Sequence, residues 1–291
     1  MMPTAPRRGK HIDRLLARVG PPLIAAPGAA VLVLFFAVPV GLILAQSVLD
    51  RGFTLRYYAQ IFAAPEYLIV FAISFKIALI ATFFSTFASY PVAYLLVIAS
   101  PAVRAAMLTC VLLPFWTNVL IRCYAWMLLL QTTGVINTLL VDWLQILTEP
   151  LPLVFNFTGV IIGMVHYLVP IDVLILYSVM KGIDLRLLQA AKGLGASPLR
   201  AFVEVFVPLS LPGIRASVML IFVISLGFFV TPALLGGRGE ITVAMLVSTY
   251  FTDVLNWSLG SALAVLLLIL TIAGLGFNFV FQRGQTNLVP H

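Results

Sequence analysis

Three ionisable side chains interrupt long apolar stretches of the sequence, and they are the first candidates for chemistry: Lys76, Arg122 and Asp172. A charged side chain inside a membrane costs about 2.5–3.5 kcal/mol, so each needs a partner or water-filled surroundings. The Asp172 carboxylate would attract a cationic solute, and the alternative is that it pairs with Lys76 or Arg122. Arg122 follows Pro114, which frees backbone groups, and we favour a brace for a broken helix over a solute contact.

Aromatic and polar side chains in the same stretches could contact an amine, because an aromatic face attracts an ammonium group. The aromatic candidates are Trp116, Tyr124, Trp126 and Tyr167. Packing and interfacial anchoring are the alternative roles for such residues. Asp253, with Asn256 and Trp257, lies at the outer end of the last stretch. The predicted solute pathway therefore comprises Trp116, Asn118, Arg122, Tyr124, Tyr167, Asp172 and Asp253.

The elements that carry these residues follow from the composition. The chain has 291 residues, of which 62% are hydrophobic and 9% charged, with a mean hydropathy of +1.11. Continuous runs of this kind are long enough to cross a hydrocarbon core of about 30 Å and lack the alternation of a membrane β-barrel. We predict an all-α multispan membrane protein with six spans, at Pro22–Val48, Tyr67–Ile98, Ala102–Leu130, Val154–Met180, Val207–Leu234 and Ser258–Phe281.

The first run resembles a secretory signal because basic residues precede it, but it exceeds the 7–15 apolar residues of such signals, and we interpret it as a retained anchor. Basic residues also set the orientation. Most fall on one side, at Arg7, Arg8, Lys10, Arg14, Arg18, Arg104, Lys181, Arg186, Lys192, Arg200 and Arg283, against Arg51, Arg56 and Arg238 on the other. Both termini are therefore predicted to be cytoplasmic. This role also accounts for the net charge of +7 without a nucleic-acid partner.

The sequence lacks the short motifs of several enzyme classes. It contains no GxxxxGK[ST] phosphate-binding loop, no HExxH, no CxxC and no Gly-x-Ser-x-Gly. Its two cysteines, Cys110 and Cys123, lie in one apolar run, where packed thiols are expected rather than a disulfide. We predict no catalytic residue, metal site or cofactor in this chain.

One cytoplasmic segment, Leu187–Ile214, is punctuated with charges, glycines and prolines. Asp184 is a candidate N-cap, and Gly193 and Gly195 suit a left-handed turn at the end of a short helix. Ser197 followed by Pro198 predicts a second short helix, ending near Pro208. Such a helix–turn–helix could fit a groove on another protein. The alternative is an amphipathic helix resting on the lipid surface.

The same segment resembles the EAA loop of permease subunits in ATP-binding-cassette (ABC) importers. The family pattern is matched by Gln189, Ala190 and Ala191, then Gly195, then the run Val205–Pro208. The departures are Gln for Glu at position 189 and Val at positions 205 and 207. The resemblance implies the type I importer permease fold and a loop, at about 182–206, that docks on a separate ATPase. The implied coupling residues are Gln189, Ala190, Ala191, Gly195, Ser197, Pro198, Glu204 and Pro208.

A second stretch, Leu112–Leu140, resembles permeases of the spermidine/putrescine type. This resemblance implies an importer of a polyamine or similar small cation in a bacterial inner membrane. The implied partners are a second permease subunit, two ATPase subunits that hold ATP and Mg²⁺, a periplasmic solute-binding protein and the lipid bilayer. The implied organisation is a basic segment 1–21, a permease domain 22–283 and a tail 284–291. The alternatives are another small solute, such as an amino acid derivative or aminophosphonate, an ATP-independent carrier, or a membrane scaffold.

Overall fold

The computed structural model describes the backbone of residues 26–50 and 52–286, and the side-chain surroundings of the same residues up to 276. The predicted segment 1–21, Arg51, the side chain of Arg283 and residues 287–291 lie outside this part. Within it the chain is helical and forms no β-strand. Six helices are long and apolar enough to span a membrane, as predicted: Ala26–Gln46, Pro65–Ile98, Val119–Trp143, Phe157–Met180, Pro198–Leu226 and Trp257–Gly276.

The second, fourth and fifth spans form the centre of the molecule. Their shared core contains Ile77, Met164, Leu168 and Ile221, all buried. Small and hydroxyl-bearing residues allow the helices to approach closely, as is usual between membrane helices. At Gly163, for example, an added Cβ would meet the Thr231 side chain at 2.7 Å. The central three-helix unit fixes the positions of the polar residues inside the membrane.

The third predicted span is broken rather than continuous. A helix covers Pro101–Leu112, a 3₁₀ turn covers Leu113–Trp116, and a second helix covers Val119–Leu130. Pro114 cannot donate a backbone hydrogen bond, and the Asn118 side chain accepts one from the Leu120 amide at 2.8 Å to begin the new helix. The prediction of one helix over Ala102–Leu130 was therefore wrong at this point.

The fifth span begins earlier than predicted. A continuous helix runs over Pro198–Leu226, and a π-helical stretch over Phe202–Phe206 precedes Pro208. The π turn accommodates a proline ring that would otherwise clash with the carbonyl four residues before it. The prediction of a separate second short helix ending at Pro208 was wrong. A short helix, Val230–Leu235, follows the end of the span at Gly227.

Short elements cover the side of the spans opposite to the loop at 182–206, which the basic residues predict to be the outer side. Helices occupy Arg56–Ala63 and Val243–Thr252, and the latter packs against the last span. After the helix Val119–Leu130, a short helix covers Val135–Thr138 and a π turn covers Leu139–Trp143, and no regular structure follows until Phe157. Buried Asn137 holds this segment by accepting from the Leu151 amide at 2.8 Å.

Candidate functional site

The loop at 182–206 begins with a helix over Arg186–Gly193, whose N-cap is Leu185 rather than the predicted Asp184. The Asp184 Oδ1 atom accepts from the Arg186 amide at 2.9 Å. At the other end Gly195 has a φ of +93°, which favours glycine. The Ala196 amide donates to the Ala191 carbonyl at 3.0 Å across this turn. The predicted left-handed turn is confirmed at Gly195, while Gly193 remains in the helix.

The next helix begins as predicted, with Ser197 as N-cap and Pro198 at the first position. The Ser197 Oγ atom accepts from the Arg200 amide at 3.3 Å. One turn further on, Arg200 Nε pairs with Glu204 Oε1 at 2.9 Å, with both side chains exposed. An exposed pair at this spacing stabilises a helix by only about 0.3–0.5 kcal/mol. The pair fixes the positions of the two side chains relative to one another on the helix surface.

The base of the loop is fixed by aromatic packing against the second span. The Tyr94 ring lies 4.8 Å from both Phe202 and Phe206, measured between ring centroids. Phe206 is fully buried, and Leu188 from the first loop helix joins the same core. The loop is therefore part of the folded helix bundle, and a force on the loop would reach the second and fifth spans.

The tip of the loop, in contrast, presents apolar side chains to its surroundings. Leu194, beside the glycine turn, is 90% exposed, and Leu199 is 73% exposed. Leu187 and Val203 are also exposed. Large apolar side chains exposed to this degree on one loop indicate a contact with another protein or a membrane. Sequence reasoning missed these residues, although two leucines flanking a predicted turn are a detectable signal.

The predicted coupling residues are arranged around this tip. Gln189, Ala190, Gly195, Ser197 and Pro198 are exposed there, and Ala191 is half-buried. Glu204 follows on the next helix, bound to Arg200. Pro208 lies further along the continuous helix. The structure thus brings six of the eight predicted residues together and places the other two along the fifth span.

Arg122 braces the break in the third span. Its Nη2 atom donates to the carbonyl oxygens of Pro114 and Thr117, the latter at 3.0 Å, and its Nε atom to Thr117 Oγ1 at 3.3 Å. The guanidinium also lies over the Tyr167 ring, 5.4 Å from the centroid. Arg122 is only 7% exposed. The geometry agrees with the bracing interpretation, because Arg122 donates to carbonyl oxygens at the helix break, those of Pro114 and Thr117.

Asp172 is fully buried and binds hydroxyl groups. Ser85 Oγ donates to Oδ2 at 3.0 Å, and Ser217 Oγ donates to Oδ1. In the described part of the chain no ion pair joins Asp172 to Lys76 or Arg122, so the predicted alternative of such a pair was wrong. Lys76 instead lies 4.7 Å from the centroid of the Phe157 ring. Asp172 therefore links the second, fourth and fifth spans through hydroxyls.

The remaining predicted pathway residues are dispersed. Trp116 and Tyr124 are exposed on the third span, and Tyr167 is half-buried and packed on Phe228, with the ring centroids 4.6 Å apart. Asp253 is exposed at the outer end and accepts from Thr252 Oγ1 at 3.0 Å. Within the predicted set, Arg122 contacts Tyr167 through its guanidinium and Asn118 through a backbone hydrogen bond.

The outer loops carry a surplus of carboxylates among the described residues. The acids are Asp50, Glu66, Asp142, Glu149, Glu240 and Asp253, against Arg56 and Arg238. The Asp50 carboxylate accepts from the Tyr57 hydroxyl at 2.7 Å. This hydrogen bond, with partial burial, raises the pKa of Tyr57, so the phenol stays neutral around pH 7. A surface of this sign attracts cations.

Comparisons with known proteins give a consistent result. The chain is 35% identical to the spermidine/putrescine transport system permease protein PotB of Escherichia coli over 246 residues, 82% of this chain and 89% of the relative. It is 36% identical to PotB of Haemophilus influenzae over 262 residues, 87% of this chain and 90% of the relative. No family model matches the chain.

Solved structures agree on the fold. A chain of the bacterial alginate ABC transporter, in complex with an alginate pentasaccharide-bound periplasmic protein, superposes with a TM-score of 0.74 at 16% identity, covering 97% of this chain and 99% of that one. A chain of the MetNI methionine ABC transporter gives a TM-score of 0.56 at 16% identity, covering 73% and 92%. The chain belongs to the family of ABC importer permease subunits that includes PotB.

Proposed function

We propose that this permease forms one half of a solute pathway and is driven by a separate ATPase that binds the tip of its cytoplasmic loop. The observation that carries the proposal is the exposed apolar tip around Leu194, next to the strained glycine turn. Water disfavours such a surface, and a groove on a partner protein would bury it. Two ATPase subunits holding ATP and Mg²⁺ would complete the motor, since the chain has no phosphate-binding loop.

A second permease subunit is proposed to close the pathway. The first span, Ala26–Gln46, has no buried residue in its most apolar window, and among the described residues only its C-terminal part contacts another span, the last one. Lipid can solvate such a helix, but a second permease would also cover it. A second permease would also supply the opposite wall of the solute pathway, which a single helix bundle does not provide.

The loop geometry suggests how motion would be transmitted. The helix Pro198–Leu226 is continuous from the loop to the membrane interior, so displacement at the tip moves the fifth span as a unit. The aromatic contacts of Tyr94 with Phe202 and Phe206 couple the same displacement to the second span. Closure of the ATPase pair would thus rearrange the spans around the pathway.

The proposed solute is spermidine, putrescine or a similar small cation. Support comes from the PotB relatives, which are named for that transport, and from the carboxylate surplus of the outer loops. A periplasmic binding protein would deliver the solute to these loops. The alginate transporter, which is related in fold, is described with a periplasmic protein bound.

The proposed orientation places both termini in the cytoplasm of a bacterial inner membrane. The described residues on the side of the loop include Arg104, Lys181, Arg186, Lys192 and Arg200. An excess of lysine and arginine marks the cytoplasmic side of membrane proteins. The carboxylate-rich loops then face the periplasm.

The coupling proposal is tested at Gly195. An added Cβ would meet no atom within 4 Å there, so only the φ of +93° opposes a side chain. Left-handed backbone costs a non-glycine residue about 1–2 kcal/mol, more for a β-branched one. Gly195→Val should therefore displace the tip and abolish ATP-driven spermidine uptake by the reconstituted importer, with normal amounts of permease in the membrane.

Gly193→Val is the matched control. Gly193 also has open space around a Cβ, but its backbone is helical, so the substitution brings no such strain. Uptake by this variant should stay within about twofold of the unmodified importer. Full uptake by Gly195→Val would show that the turn is not used for coupling.

A further inference from the structure

Asp172 lacks the counter-charge that a buried carboxylate needs. It is 0% exposed in the interior of the fourth span, and the described residues that bind it are uncharged hydroxyls. Hydroxyl donors stabilise a carboxylate, but an unpaired charge within the membrane still costs free energy. The arrangement is therefore incomplete without a positively charged ligand or a proton.

Two threonines of the second span continue the hydroxyl-bearing face that holds this carboxylate. Thr82 Oγ1 is a buried atom without a hydrogen-bond partner, and Thr82 is only 4% exposed. Thr86 Oγ1 makes at most a long hydrogen bond, to the Asp172 carboxylate. Thr82 and Ser85 are three residues apart and therefore share one face of the second span. Unpartnered buried hydroxyls of this kind indicate a missing polar ligand.

The same two threonines line a groove between the second and fifth spans. The groove has a volume of about 970 Å³, within the range of small-molecule sites. Its walls are aromatic and aliphatic, with Phe83, Phe87, Tyr90, Tyr94, Phe202 and Phe222 among them. Alkyl chains pack on such walls, and aromatic faces attract ammonium groups. Thr82 and Thr86 thus stand between an alkylamine-sized groove and a buried carboxylate.

We propose that this groove and the Asp172 cluster form a binding subsite for an alkylammonium solute on its way through the membrane. The alkyl chain lies along the aromatic walls, and one ammonium group reaches the carboxylate past Thr86. The ammonium donates to Asp172 and to the threonine hydroxyls. The inference rests on the proposed function for the identity of the solute, and on the geometry alone for its charge.

The test uses a cysteine at the boundary between groove and carboxylate. Thr86→Cys is introduced with Cys110→Ser, because Cys110 is exposed while Cys123 is buried. The assembled importer, reconstituted with its binding protein, is treated with cationic aminoethyl or anionic sulfonatoethyl methanethiosulfonate. The cationic reagent should react faster, and Asp172→Asn should reduce this preference about tenfold or more. Asp172→Glu, which keeps the charge, should preserve the preference.

A second measurement on the unmodified carboxylate does not depend on the stability of the asparagine variant. Spermidine supplied during ATP turnover should slow modification of Thr86→Cys at least about fivefold, while Leu128→Cys, on the exposed surface of the third span, should be unaffected. Sodium added without spermidine should give no protection. Protection by sodium alone, or an unchanged reagent preference in Asp172→Asn, would overturn the subsite.

A wrong solute and a wrong subsite would give different experimental results. If the unmodified importer does not take up spermidine but retains the Asp172-dependent preference for the cationic reagent, the cation subsite stands and the proposed solute is wrong. If spermidine is taken up and neither protection nor the Asp172-dependent preference occurs, the subsite is wrong and the proposed solute stands.

Discussion

Two buried charges in this permease are stabilised in different ways. The planar guanidinium of Arg122 donates hydrogen bonds to the backbone oxygens of Pro114 and Thr117 at the helix break. Asp172 uses serine hydroxyls from the two neighbouring spans. A lysine could not replace Arg122, because it lacks the fixed fork that reaches several oxygens at once. We therefore expect a structural role for Arg122, whereas the Asp172 carboxylate can still bind a ligand.

Replacement of Arg122 by Met should lower the stability of the permease. The change leaves the Thr117 carbonyl without its charged donor and removes one of the donors to the Pro114 carbonyl, and hydrogen bonds to charged groups are worth about 1.5–3 kcal/mol each. We expect the thermal midpoint of the detergent-purified importer to fall by several degrees. Arg122→Lys should recover only part of this loss.

Arg238→Met is the control for this measurement, since Arg238 lies in an outer loop and should change the midpoint by less than about one degree. An unchanged midpoint in Arg122→Met would contradict the bracing role. A normal midpoint combined with a higher KM for uptake would instead assign Arg122 to the solute.

At the scale of elements, the continuous helix Pro198–Leu226 connects the loop to the centre of the membrane. Its close contact with the fourth span occurs at Gly213, where an added Cβ would lie 2.9 Å from the Val179 Cβ. Val179 is near the end of the fourth span, just before the loop. This contact therefore determines how closely the two spans approach at the point where loop motion enters the bundle.

Gly213→Val should separate the fourth and fifth spans. Overpacking of this kind costs about 1–3 kcal/mol, and we expect a lower thermal midpoint together with reduced coupling of ATP hydrolysis to uptake. Gly274→Val is the matched control, because a Cβ at Gly274 meets nothing within 4 Å. Equal behaviour of the two variants would show that the close contact at Gly213 is unimportant.

The sequence predicted the presence of the helices more accurately than the points at which the helices are interrupted. Hydropathy alone indicated six spans, but it placed the third at Ala102–Leu130 instead of Val119–Trp143. Local rules located the Gly195 turn and the Ser197 N-cap correctly, and they placed the first cap at Asp184 instead of Leu185. The π turn before Pro208 and the full break near Asn118 depend on how the chain accommodates a proline, which composition does not determine. The partners of Asp172, Ser85 and Ser217, are 87 and 45 residues away in sequence, so only the packing of three spans could identify them.

At the scale of the whole molecule, the chain has the properties of one component in a larger assembly. No residue in the most apolar window of the first span is buried among the described residues, the loop tip is apolar, and the outer loops are rich in carboxylates. Each surface corresponds to one proposed contact: the second permease, the ATPase and the delivery of a cation. The apolar tip is the most informative of the three, because its exposed leucines need a cover and a cross-link distinguishes the ATPase from the lipid surface.

A cross-link from position 194 to the ATPase tests the central proposal most directly. Leu194→Cys, in the Cys110→Ser background, is labelled with a benzophenone maleimide in the assembled importer and irradiated; Leu128→Cys serves as the control facing away from the loop. We predict an adduct with the ATPase subunit from position 194 and none from position 128. An adduct of position 194 with lipid or solvent only, while the ATPase remains in the complex, would contradict the proposal.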